Sequence, residues 1–321
     1  GTVTLHDCRF AGAYAWRDEA GGCEGDWEGG CGLHVCGEAV LEVARCEFTA
    51  CVYGIRLREG TATIHSCHLH HLQAVAIGID NSARGDVWIH HCRIHDTTSE
   101  AFGEGIVFEG TGAGCIEHNE CHAHRKAGIR WGGGAGGGTV AGNHCHDNGL
   151  GIVVEQRGWP EVIDNRCERN EAGVLCRDHA SPLVRGNVLA NNHDGIAVPG
   201  RHYRLNNTFP SPRIEHNQVR GNTHGIYYGG MATGFARSNV IEGSVQAAVV
   251  LDDRANPCVT DNTIKDNPGA AIALKGLAAG LVFENRIASN GGPDLVEEES
   301  CVTLKHCPQN WARVRAYWRK G

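Results

Sequence analysis

Five side chains that can ligate a metal or move a proton recur at intervals of 22 to 27 residues: His70, His95, His122, His146 and Glu168. A second row lies two residues earlier each time, as His68, Arg93, Glu120, His144 and Arg166. Asp96 and Asp147 follow their histidines directly. Twelve of the twenty histidines fall between His65 and His146, so the enrichment is local. Neutral imidazole is a common ligand for divalent ions and a base near neutral pH. Glu120, His95, His122 and His146 are therefore candidates for acid–base work, and the two rows together for ligand binding. Such chemistry suits cleavage or epimerisation of an acidic sugar, whose carboxylate needs a counter-charge. The plainer explanation is that an exterior strand face accepts His and charged residues wherever a rung repeats. Either way, the rows matter only if the fold sets them side by side.

A second set, Cys23, Cys31, His34 and Cys36, has the residue types of structural zinc. Its spacing departs from the usual C-x₂₋₄-C pairing, and only Cys31 and Cys36 come close to it. The chain has no Gly-rich phosphate loop, no G-x-S-x-G elbow and no HExxH, and nothing in it calls for a cofactor.

The elements that would position these rows are legible as a repeat. Motifs such as LHDCRF, VARCEF, IHHCRI, VAGNHC, VIDNRC and VTDNTI share a fourth residue. That residue forms a column: Cys8, Cys46, Cys67, Cys92, Asn119, Asn143, Asn165, Asn187, Asn217, Asn239, Asn262 and Asn285. Two residues on comes an apolar column that runs from Phe10 through Cys121, Cys145 and Cys167 to Ile287. Alternate residues of a strand face the same way, so this column fills an interior and the odd offsets, His rows included, face outward. Five residues after the anchor stand Asn148, Asn170, Asn192, Asn222, Asn267 and Asn290, often before a Gly-Ile pair. Asn and Gly tolerate the left-handed backbone of a sharp bend. Pro160, Pro182, Pro212 and Pro257 each lie five residues before an anchor, where a turn uses their fixed φ.

Four columns in register predict an all-β chain, a right-handed single-stranded parallel β-helix of about twelve coils, roughly 55 Å long at the usual strand spacing. A β-sandwich would instead show hairpin turns every 8–12 residues. Stacked Asn amides should hydrogen-bond along the corner, while the Cys anchors fill volume without that ladder. The β-helix is expected over 1–293, with insertions near 13–31 and 199–213 that could carry binding. A terminal rung needs a cover, so 294–321, with Trp311, Tyr317 and Trp318, reads as a C-terminal capping segment.

A net charge of −8 argues against a nucleic-acid surface, and no apolar run approaches a membrane span. Seven of the sixteen cysteines fall in core columns, where a thiol behaves as a small hydrophobe. With no export signal in view, the expectation is a reduced intracellular chain, cytoplasmic or nuclear, with a secreted, oxidised one as the alternative. The opening Gly1 suggests a segment of a longer protein.

The rung N-x-[IVC]-x-x-N-x-x-G-[IV] resembles the generic parallel β-helix repeat of polysaccharide lyases, epimerases and periplasmic sugar-binding proteins. Stretches such as GAGCIEHNECHAHRKAGIRW at 112–131 and WPEVIDNRCERNEAGVLC at 159–176 also resemble the CASH-type β-helix of F-box-only proteins. That resemblance spans about residues 43–290. It implies a protein-recognition module that captures targets for a cullin-type ubiquitin ligase, with a protein partner and no nucleic acid or membrane. The alternative is a carbohydrate-active lyase or epimerase using the His/acid rows.

Overall fold

A computed structural model describes residues 1–13, 30–80, 83–133, 136–201 and 208–298. These residues form three parallel sheets of twelve strands, and each strand is hydrogen-bonded to its counterparts one rung before and one rung after. The first sheet runs from Thr2–His6 to Leu281–Phe283, the second from Arg9–Ala11 to Arg286–Ala288, the third from Cys31–Val35 to Leu295–Glu297. No helix is present among the described residues. The architecture is the expected right-handed parallel β-helix, the hand that parallel crossovers take almost without exception.

The register confirms the columns. Cys121 pairs with Ile94 and Cys145, and Cys145 with Cys167, along the second sheet. This column is fully buried from Phe48 to Ile264 and only half-buried at the terminal Phe10 and Ile287, as an end rung requires. The interior is one continuous hydrophobic core along the solenoid. Its largest member is Trp131, stacked on Phe108 at 4.2 Å. Gly114 and Gly138 make room for it. A Cβ on either would lie 2.4 to 2.5 Å from the Trp131 ring, which accounts for the Gly-rich lead-in to those rungs.

The anchors sit at the corner between the first and second sheets, and the Asn ladder there is complete from Asn119 onward. The Asn143 backbone N–H and Nδ2 both donate to Asn165 Oδ1, at 2.9 and 3.0 Å. Asn143 Nδ2 also donates to Ile116 O at 2.8 Å, and the pattern recurs rung by rung to Asn285. Two details differ from expectation. The left-handed backbone falls on the residue before each anchor, as at Asp164, Ser238 and His118 before Asn and Arg45 before Cys46, because the anchor itself must aim its side chain inward. Gly142 and Gly186 take the same position at no steric cost. Second, the Cys anchors do join the network. Cys46 Sγ donates to Leu5 O (3.5 Å) and Cys67 Sγ to Val43 O (3.6 Å), a weak version of what Asn Nδ2 does higher up.

A second ladder of Asn148, Asn170, Asn192 and Asn222 runs along the corner between the second and third sheets. It starts from His124, whose N–H donates to Asn148 Oδ1 at 3.0 Å. His124 is buried, with Nδ1 2.8 Å from Thr97 Oγ1 and Nε2 3.1 Å from Ile94 O. Burial pushes its pKa down to about 3, so it serves as a neutral corner residue rather than a member of the exterior rows. At Ser244 the ladder breaks, and the Ser244 hydroxyl is buried without a hydrogen-bond partner among the described residues.

Of the segment expected as a cap, Leu295–Glu297 forms the last strand of the third sheet, and 299–321 lie outside the described residues. So do 14–29 of the first insertion and 202–207 of the second. Arg201 and Thr208, which flank 202–207, are joined by an antiparallel bridge.

Candidate functional site

The second sheet brings the two exterior rows together as its register demands. His70 pairs with His95, His95 with His122, His122 with His146 and His146 with Glu168. His68, Arg93, Glu120, His144 and Arg166 pair in the same order. Since the strands repeat every 4.7–4.9 Å, the imidazoles stack face to face. Ring centroids are 4.7 Å apart for His95 and His122 and 4.8 Å for His122 and His146, with planes within 12° of parallel.

Each end of the stack is tied to a carboxylate. His70 Nε2 lies 3.1 Å from Glu47 Oε1, and His95 Nδ1 lies 2.8 Å from Asp96 Oδ2. His68 Nε2 reaches His95 Nε2 at 2.8 Å, so one of the pair donates and the other accepts. Toward the other end, His146 Nδ1 is 2.6 Å from Asp147 Oδ2, and its Nε2 is 3.4 Å from Glu120 Oε1. Arg93 Nε is 3.4 Å from Glu120 Oε2, and Arg166 Nη2 is 2.6 Å from Glu168 Oε1.

Electrostatics divide this face by residue type. Burial, followed by the neighbouring His95 and His146, holds His122 below the usual imidazole value, and burial does the same to His68 with help from His70 and His95. Burial works to raise Glu120, but the His146 hydrogen bond and Arg93 outweigh it and the carboxyl stays below its ordinary range. Arg169, 2.7 Å from Asp147 Oδ1, holds Asp147 well below that range, against the effect of burial, with His146 adding to it. His68 and His122 are thus held toward the neutral form beside the ionised carboxylates of Glu120 and Asp147.

Glu120, His144 and His146 come closest to a ligand set, with one donor atom from each all within 4.8 Å of one another. Two imidazole nitrogens here, His122 Nε2 and His144 Nε2, are shielded from solvent yet have no hydrogen-bond partner among the described residues. His144 Nε2 approaches Glu168 Oε2 only to 3.6 Å. Buried polar atoms are nearly always satisfied, so two such orphans side by side mark a place where another molecule or ion can bond.

The Cys/His set is not assembled in this way. Cys36 Sγ lies 3.2 Å from His34 Nε2, while Cys31 starts its strand and packs beside Tyr53, Val75 and Val107 on the third sheet. These residues form no three-ligand group among the described residues, and Cys23 falls outside them.

Two clusters were not anticipated from sequence. On the third sheet, Arg130 is held by Glu104 (2.8 Å), Glu109 (2.8 Å) and Glu155 (3.0 Å), and Arg177 also pairs with Glu155. His193, Asp194 and His224 form a second three-donor group. Asp194 and His224 share an offset of seven from Asn187 and Asn217, the signal by which they could have been found. Of the Arg130 partners, Glu104 and Glu155 share an offset of twelve from Cys92 and Asn143 while Glu109 stands at seventeen, and with rungs of unequal length beyond the second corner these offsets do not reveal the cluster.

No curated protein sequence matches this chain. Among solved structures, it is similar to the A-module of a mannuronan C-5 epimerase from Azotobacter vinelandii, with a TM-score of 0.66 at 13% identity over 95% of this chain and 91% of that one. A periplasmic alginate epimerase aligns with a TM-score of 0.56 at 11% identity, over 79% and 76% of the two chains. The catalytic domain of an α-1,3-glucanase aligns at 0.50 and 10% identity, over 95% of this chain and 64% of that one. At these identities the likeness is one of fold. No helix of the described residues is long and apolar enough to cross a membrane. A family model described as periplasmic copper-binding protein (NosD) matches residues 79–212 and 148–303, which take in most of the solenoid and the His/acid face from Arg93 onward, and the chain belongs to that family.

Proposed function

We propose that the exterior of the second sheet binds an acidic polysaccharide and acts on it as a lyase or epimerase. The observation that carries this reading is the pair of buried, unpartnered imidazole nitrogens, His122 Nε2 and His144 Nε2, flanked by Glu120 and Arg93. Removing a proton from the carbon beside a uronate carboxylate needs a neutral base and a cation to meet the charge that builds on the carboxylate oxygens. In this reading His122 would be that base, and Arg93, half-exposed on the neighbouring row, that cation. The solved structures it resembles in fold, two epimerases and a glucanase by their descriptions, support a sugar polymer as ligand. They and the family description also favour an exported protein over the intracellular expectation. The protein-capture reading, for a cullin-type ubiquitin ligase, rests on the likeness of two rungs alone.

The test is incubation with a panel of uronate polymers, reading unsaturated ends by absorbance and epimerised residues by proton NMR. A product is expected, with His122→Gln lowering its rate at least about tenfold at unchanged thermal stability. Absence of binding and product across the panel sinks the reading.

A second reading, copper binding, is favoured by the family description and by one donor set. Glu120, His144 and His146 offer the imidazole and carboxylate donors that suit Cu(II). The contact of Asp147 to His146 Nδ1 is the outer partner that keeps Nε2 for a metal. A bound ion would supply a Lewis acid on this face. Cu(II) titration followed by EPR should show one saturable site with nitrogen coupling, abolished in a His144→Gln/His146→Gln variant. Equal binding by that variant rules this site out.

A further inference from the structure

We propose a second divalent-metal site, for zinc or a similar borderline ion, formed by His193, Asp194 and His224 where the corner after the second sheet enters the third. It is independent of the reading of the second-sheet face, since none of its residues lies on that sheet.

The backbone brings the three together across two rungs. Asp194 opens the strand Asp194–Pro199 and pairs directly with His224, which opens His224–Gly229. His193 precedes Asp194, and its carbonyl accepts the His224 N–H at 2.9 Å, which fixes the separation of the two imidazoles. Both rings turn Nδ1 toward one carboxylate oxygen, with His224 Nδ1 2.8 Å and His193 Nδ1 3.3 Å from Asp194 Oδ1. In a tetrahedral zinc site, with bonds near 2.0–2.1 Å, the ligand atoms stand about 3.3 Å apart. His193 already meets that separation, and His224 needs a shift of about half an ångström.

The far side of His224 supplies the second observation. Its Nε2 lies 3.0 Å from Gln246 Oε1, one rung on. A carbonyl oxygen can only accept, so it favours the proton on Nε2, and in that tautomer the Nδ1 lone pair faces the carboxylate. Two acceptors at 2.8 Å need a cation or a further proton between them. A metal-ligating His characteristically donates its other N–H to such an outer acceptor. Asp194 and His224 are mostly shielded, while His193 is 57% exposed, so the donors are held in place and an entry path stays open. Three protein donors leave a fourth position for water or a ligand, the coordination of a site that does chemistry rather than one that is closed.

Zinc binding is best measured in a Glu120→Gln/His144→Gln/His146→Gln background, which removes the other three-donor group while leaving this one intact. Isothermal titration with Zn(II) should find one equivalent, and zinc should raise the melting temperature. Asp194→Asn should weaken binding by at least about tenfold, and Gln246→Leu, which touches no metal, by about ten- to a hundredfold. No zinc uptake in this background, or uptake that is equally tight after Asp194→Asn and His224→Gln, overturns the site. If Asp194→Asn alters folding, Gln246→Leu and His193→Gln carry the test, because both leave the buried carboxylate in place. Failure here leaves the second-sheet readings standing, and their failure leaves this site standing.

Discussion

Arg130→Met should cost about 3–5 kcal/mol of stability, because it strips the cation that Glu104, Glu109 and Glu155 share and leaves two buried carboxylates and a partly exposed one together. Burial works against the Arg130 charge, and the three carboxylates outweigh it, holding the guanidinium protonated above its ordinary range. The loss has a defined pH dependence. Burial raises the Glu104 pKa above its ordinary 4.5 even with Arg130 opposing it, so ionising this carboxyl already costs stability in the native protein. That cost is absent below about pH 4.5, where Glu104 is protonated folded or unfolded, and grows as pH rises through the higher folded value. Removing Arg130 lifts the folded value further and enlarges the cost at neutral pH. The gap between wild type and variant should therefore be widest near pH 7 and close as the pH falls toward about 4. Chemical denaturation at both pH values measures it, and an equal gap at both would show that Arg130 acts through packing alone.

Asn165→Ala should cost a similar amount, about 3–5 kcal/mol, with no charge involved. Asn165 Oδ1 accepts from the Asn143 N–H (2.9 Å) and Nδ2 (3.0 Å), while its own Nδ2 donates to Val140 O at 2.8 Å. Alanine orphans a buried N–H and a buried carbonyl, each worth about 1–3 kcal/mol. The position also tests what the Cys rungs show. A thiol still reaches a carbonyl one rung back, as Cys67 does with Val43 O, so Asn165→Cys should lose clearly less than Asn165→Ala. At the half-buried end of the ladder, Asn285→Ala should cost only about 1 kcal/mol, since water can replace the missing amide. Equilibrium unfolding ranks the three, and native-state hydrogen exchange at the Asn143 amide locates the opening. A ranking with Asn285→Ala worst would contradict a corner ladder as the main polar restraint.

Both expectations concern the same fold, yet only one could have been framed from sequence. The anchor column fixes the corner between the first and second sheets, and with it every residue within a few positions of the anchor. Hence the pairing of His95 with His122 and of Glu120 with His144 follows from equal offsets alone, as does the outward direction of both rows. The same arithmetic loses force beyond the second corner, where rungs carry loops of unequal length. Arg130 and its three carboxylates lie there, at offsets of eleven, twelve and seventeen that do not translate into adjacency, and so the cluster was invisible. Sequence could place the Asn at a bend but not its backbone. The left-handed turn falls one residue earlier, because the amide must point into the corner to reach the next rung.

What the chain determines by itself is its repeat: a 4.7–4.9 Å strand stack propagates any side-chain choice into a lateral row, so periodicity in one dimension becomes adjacency in two. What only the tertiary structure decides is the bonding within those rows. Whether an imidazole meets a carboxylate, another imidazole or nothing depends on rotamers and on the residues flanking each strand. That is why His122 Nε2 and His144 Nε2 emerge as unpartnered atoms, and why His193, Asp194 and His224 converge on one oxygen, only once the rungs are stacked.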